Sequence, residues 1–86
     1  MEEEKLVGKI THYFPKVGVA VVKLEDTLKL GERIKLKKGE KEFEQTVESM
    51  QVEHKNIKEA RKGQEIGLKV KQKVKEDWEV YKLITT

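Results

Sequence analysis

Two histidines, His12 and His54, and one serine, Ser49, supply all the imidazole and serine hydroxyl groups of this chain, and cysteine is absent. A serine nucleophile needs a base within hydrogen-bond reach and an orienting third group. No spacing here suggests that arrangement. Two histidines among scattered glutamates do not form a recognisable metal-ligand set. The adjacent carboxylates Glu25-Asp26 and Glu76-Asp77 fall at turn signals, where short acidic side chains fix the backbone rather than exchange protons with a substrate. No G-x-x-x-x-G-K-[ST] phosphate loop is present, so no nucleotide site is expected. These residues predict a protein that is not an enzyme, with no catalytic residue, no metal and no cofactor.

The chemistry that remains is basic. Lys69, Lys71, Lys73 and Lys75 alternate with Leu68, Val70, Gln72 and Val74. On an extended strand such lysines recur on one face at about 6.6 Å intervals, close to the phosphate spacing of an extended nucleic-acid strand. Lys55, Lys58, Arg61 and Lys62 precede them, with only Glu59 and Glu65 as local acids. Positive potential is therefore expected to gather over residues 55–75 although the net charge is only +3. Two readings are open. The row contacts RNA or the ribosome, or it protects an edge strand from pairing with another chain. Aromatic side chains are poorly interleaved with the lysines, which weakens the case for base stacking.

The elements that position these groups read as strands. The chain has 86 residues, of which 36% are hydrophobic and 41% charged, enough for one domain with a modest core. Its apolar residues fall in strand-like groups, so disorder is not expected. Many lysines and glutamates with a single asparagine suit a protein built for high temperature. The acidic start, Met-Glu-Glu-Glu-Lys, has no apolar run behind it, and no stretch approaches the roughly 20 apolar residues that span a bilayer. With no cysteine, this predicts a cytoplasmic location, no membrane partner and a monomer.

The clearest local pattern lies between Thr27 and Val52. Ile34 and Leu36 alternate with Arg33, Lys35 and Lys37, and Phe43 and Val47 alternate with glutamates and Thr46. A two-residue turn at Gly39-Glu40 sets Lys37 opposite Glu42, Lys35 opposite Glu44 and Leu36 opposite Phe43. Residues 1–5 are expected as a tail and 6–86 as the domain. Strands are expected over Leu6–Tyr13, Val17–Leu24 (apolar on both faces), Glu65–Val70 and Trp78–Leu83. A bulge is expected near Glu48-Ser49, and His54–Arg61 is expected as a connecting loop anchored by Ile57 and Ala60. The predicted core is Val19, Val21, Ile34, Leu36, Phe43, Val47, Ile66, Leu68, Val70 and Val80. The fold class is all-β, a small antiparallel Greek-key barrel of six to seven strands.

Five stretches carry a resemblance: Val7-Gly8, Val17–Val21, Leu28–Ile34, Val47–Met50 and Ala60–Leu68, in that order and spacing. The set resembles the second, β-barrel domain of translational GTPases such as elongation factor Tu, from about Leu6 to Leu83. There the barrel helps hold the aminoacylated end of tRNA through a Gly/Arg-rich strand start and a glutamate. Here Lys16-Val17-Gly18-Val19 and Gln51 occupy those positions, so the resemblance does not carry that pocket over. The same barrel resembles the C-terminal domain of some U32-family, collagenase-like peptidases, where it is an accessory module. The leading expectation is thus a non-catalytic module touching RNA or the ribosome through its basic face. The alternative is a protein-interaction domain beside a separately encoded enzyme such as a U32-type peptidase. A small-ligand site in the barrel mouth is the third, and no convergent polar cluster marks one.

Overall fold

The Gly39-Glu40 hairpin forms as its pattern demands. In the computed structural model, which describes residues 2–85 (without the side chains of Glu2 and Thr85), β4 (Arg33–Lys38) and β5 (Lys41–Thr46) pair antiparallel. Lys35 faces Glu44, Leu36 faces Phe43 and Lys37 faces Glu42. Gly39 takes φ 60°, the value that a side chain would disfavour. Ile34 and Leu36 are fully buried, while Phe43 packs half-buried against the core.

The other strands are β1 (Glu2–Phe14), β2 (Val19–Leu24), β3 (Leu28–Lys29), β6 (Met50–Val52), β7 (Lys55–Ile57), β8 (Glu59–Ala60), β9 (Glu65–Lys69) and β10 (Glu79–Thr85). Of the ten strands, eight form one antiparallel sheet in the order β5-β4-β10-β1-β2-β9-β6-β7, and β3 pairs with β8. The described residues contain no helix. The sheet curls into an all-β barrel around Val7, Ile10, Ala20, Val22, Leu24, Leu28, Ile34, Leu36, Met50, Ile66, Leu68 and Val80.

One buried side chain sews the curled sheet together. Gln45 on β5 is 2% exposed, the sole buried polar side chain among the described residues. Its amide nitrogen donates to the Lys69 carbonyl at 2.8 Å, and its amide oxygen accepts from the Lys71 N–H at 2.9 Å. The amide thus stands in for a peptide group where β5 and the end of β9 share no ladder. It is a buried polar group with both functions satisfied.

Several expectations give way, each for a packing reason. β1 begins at Glu2 rather than Leu6, because Glu2 to Leu6 find ladder partners in Thr85 to Tyr81. The strand then shifts register between Leu6 and Gly8, and again between Ile10 and His12, so the irregularities lie in β1. A Cβ on Gly8 would come within 2.7 Å of the Lys23 carbonyl oxygen, which accounts for glycine there. No bulge occurs at Glu48-Ser49; the chain leaves β5 there and enters β6. Residues 54–61 form β7 and β8, with Ala60 buried against β3 as an anchor. The β6–β7 turn puts both Glu53 and His54 at positive φ, 51° and 66°, without the glycine or asparagine that announces such a turn. On β2 the buried residues are Ala20, Val22 and Leu24, while Val19 and Val21 are only half-buried and point outward. The pairing of Ala20 with Leu68 and Val22 with Ile66 settles that parity, since both partners are buried.

Charges on the wet face make a network different from the expected one. The Lys35 ammonium turns from Glu44 to Glu4, at 2.9 Å, and Glu44 is met by Arg33 at 3.5 Å. Glu4 is held below its ordinary value of 4.5, chiefly by the hydrogen bond from Lys35, and Asp26 below 3.8, chiefly by the one from Lys5. A carboxylate with a lowered folded-state pKa stabilises the fold above its unfolded-state value, and that contribution disappears as pH falls through the folded value. The melting temperature is therefore expected to drop as pH falls below about 4.5, and Glu4→Gln to flatten that drop. Thermal melts of both proteins between neutral pH and about pH 2 check this. Identical pH profiles would show that the Glu4 pair contributes nothing.

Candidate functional site

The eight basic residues marked by the sequence do not form one face. β9 stops at Lys69 and lies between β2 and β6, so it is neither a long strand nor an edge. The cause lies in the burial of the next nine residues. Val70, Val74 and Trp78 are buried at intervals of four residues, and the chain must cross the end of the barrel to bury all three. Asp77, at φ 70°, turns it back into β10. The alternation of lysine with apolar residues therefore reflects a cap over the barrel end, not a strand.

Each lysine consequently has its own setting. Lys69 donates to the Val17 carbonyl at 2.6 Å and Lys71 meets Glu48 at 3.2 Å. Lys73 and Lys75 come together with Lys38 and Lys41, from the β4–β5 hairpin, around an open groove with Phe43 and Trp78 in its lining. Those two rings sit 6.1 Å apart, and Tyr13 and His12 complete that side. Glu40, Glu42 and Glu76 share the rim, with the His12 imidazole 3.8 Å from Glu76, so the groove is mixed in charge. Lys55, Lys58, Arg61 and Lys62 are exposed and lie elsewhere: Lys55 opens β7, Lys58 separates β7 from β8, and Arg61 and Lys62 lead into the Gly63 turn.

A second surface has no counterpart among the motifs of the sequence. The outward faces of β2 and of the turn before it carry Val19, Val21, Phe14 and Val17, the last two 47% and 55% exposed. They border a trough floored by Gly67, with Ser49, Gln51, Glu53 and His54 on the far side. Gln51 turns its amide nitrogen to Asn56 at 3.1 Å. The signal for it is Val-Gly-Val-Ala-Val-Val: a strand apolar on both faces needs a covering layer, and a single-sheet barrel offers none on the outside.

Among the described residues no group of three or more histidine, aspartate or glutamate side chains is placed to hold a metal ion. Ser49 lines the trough that His54 also borders, and no hydrogen bond joins them. What the described geometry offers is two concave surfaces, one apolar and one of mixed charge with aromatic rings in its lining.

No protein-family model matches the chain. It is 36% identical over 81 residues to an uncharacterised protease of Methanocaldococcus jannaschii, covering 93% of this chain and 20% of the relative. The chain thus spans about a fifth of the length of the curated relative it matches. Its fold is that of the C-terminal domain of a putative U32 peptidase of Geobacillus thermoleovorans, with TM-score 0.84, 23% identity, and 91% of each chain covered. The selenomethionine variant of that domain gives 0.83, covering 88% of this chain and 96% of the other. These relatives support the resemblance to the U32 C-terminal domain. They lend none to the resemblance to translational GTPases.

Proposed function

We propose that this chain is a non-catalytic accessory module that binds a protein partner, the body of a U32-type peptidase. One observation carries the reading: nearly the whole chain matches about a fifth of an uncharacterised protease in sequence and the C-terminal domain of a putative U32 peptidase in fold. The sparse catalytic inventory and the outward apolar strip agree with it. Inter-domain contacts of this kind resemble transient protein interfaces.

The test uses the Methanocaldococcus jannaschii protease lacking the stretch that this chain matches. Calorimetric titration with the purified full chain is expected to give a Kd on the order of 1–10 µM, only weakly dependent on salt, and the chain alone is expected to leave labelled casein uncleaved. No heat of binding at about 100 µM, or casein cleavage by the chain, overturns the reading.

A second reading is favoured by the groove, where Lys38, Lys41, Lys73 and Lys75 surround Phe43 and Trp78. With Trp78 buried and Phe43 half-buried, what such a surface suits is contact of its ammonium groups with the phosphates of single-stranded RNA rather than base stacking. Titration with a short RNA at low salt discriminates the two, because phosphate contacts would give a slope of log K against log salt of roughly −0.7 per phosphate neutralised.

A further inference from the structure

We propose that the strip formed by Phe14, Val17, Val19 and Val21 is the face through which the barrel docks onto the peptidase body. This inference rests on the accessory-module reading above and assigns its contact surface. The four side chains line one trough on the outside of β2 and the turn before it. Among the described residues, Phe14 and Val17 are two of three large hydrophobic side chains left exposed; the third, Leu30, does not line this trough. Isolated exposed apolar residues are ordinary, whereas a contiguous group marks a binding surface.

The strip is held rigid before anything binds. The Val17 and Gly18 N–H groups both donate to the Phe14 carbonyl, and the Val70 N–H donates to the Gly18 carbonyl at 2.9 Å. The Lys69 ammonium pins the Val17 carbonyl at 2.6 Å. His12 packs edge-on against the Phe14 ring at 4.4 Å. An exposed apolar turn tied at this many points loses little conformational freedom when covered, which is what a docking surface requires.

The shape and charge of the trough describe its occupant. Gly67 leaves its floor without a side chain, and the Val19 side chain lies over it, since an added Cβ would come 3.2 Å from Val19 Cγ1; the apolar surface of Val19 therefore continues across the floor. Lys69 borders the near end and Glu53 the far side. The fitting partner face is therefore apolar at its centre, with a carboxylate toward Lys69. A protease body is favoured over a second copy of this chain because the matched relative carries four further parts of sequence for each part that matches. That remainder is a large protein surface in the same molecule as its own version of the strip.

Val17→Glu and Phe14→Glu, each made in the full chain, place a charge in the strip at sites already exposed, so their thermal melts are expected to match the parent. Titrated against the truncated Methanocaldococcus jannaschii protease, each is expected to weaken binding by about tenfold or more, as loss of a central apolar anchor does. Lys73→Gln/Lys75→Gln is expected to leave it within about twofold. Parent-like binding by both strip variants overturns the docking face while leaving the accessory-module reading intact. Absence of binding by the parent overturns both. Concentration-dependent dimerisation of the parent that Val17→Glu abolishes assigns the strip to a second copy and also overturns the proposal, as does binding of short RNA that Val17→Glu abolishes. Should either variant melt early, Val19→Lys supplies the same charge test from a strand position.

Discussion

Leu36→Ala is expected to destabilise the barrel by about 2–5 kcal/mol, the range for emptying a packed core site. Leu36 is fully buried, it opposes Phe43 on β5 and Val80 on β10, and it therefore joins three strands. Its neighbour Lys35 points to the opposite face, and Lys35→Ala is expected to cost far less than Leu36→Ala, because an ion pair at the surface contributes little. Denaturant unfolding of the two variants measures the contrast. Comparable losses would mean that the two faces of β4 are wrongly assigned.

Gln45→Leu is expected to cost about 2–4 kcal/mol although it replaces a polar core residue with an apolar one of similar size. Burial of the leucine is favourable, but the Lys69 carbonyl and the Lys71 N–H both lose their partner. An orphaned buried backbone group costs about 1–3 kcal/mol. Hydrogen exchange gives the sharper readout, since the Lys71 amide should lose protection before the β4–β5 amides do. A variant as stable as the parent would show that water reaches these groups freely.

The parts of the fold that could be read from the sequence are those in which one face is apolar and the other charged. In β4 and β5 a shift of one residue would bury lysines, so register and turn were both determined, and Gly39 supplied the conformation the turn needed. β2 lacked that contrast. With apolar side chains on both faces its parity was open, and only pairing with Ile66 and Leu68 on β9 decides which valines turn inward. The lysines of residues 69–75 misled for a related reason. Alternation of period two is ambiguous between a strand and a capping segment that dips inward every fourth residue, and Val70, Val74 and Trp78 fit the second. Gln45 was legible in principle, since it shares the parity of Phe43 and Val47, and a polar residue at a core position requires a partner. The β6–β7 hairpin was not, because Glu53 and His54 adopt a conformation that their side chains disfavour.

The position of β1 between β10 and β2 has a consequence for the order in which the barrel assembles. β1 meets β2 across a short turn, but its first residues pair with the last described ones, Glu2 with Thr85. The β4–β5 and β6–β7 hairpins close loops of two residues and can form within microseconds on their own. The β1–β10 ladder joins residues some seventy or more positions apart, Lys9 with Glu79 and Glu2 with Thr85, at a loop-closure cost that local pairing does not face. Folding speed should thus be governed by this long-range seam, as in other sheets dominated by non-local contacts. Until it closes, β1 and β10 each lack one neighbour, and the interval before closure is when the unpaired strands are most open to other chains.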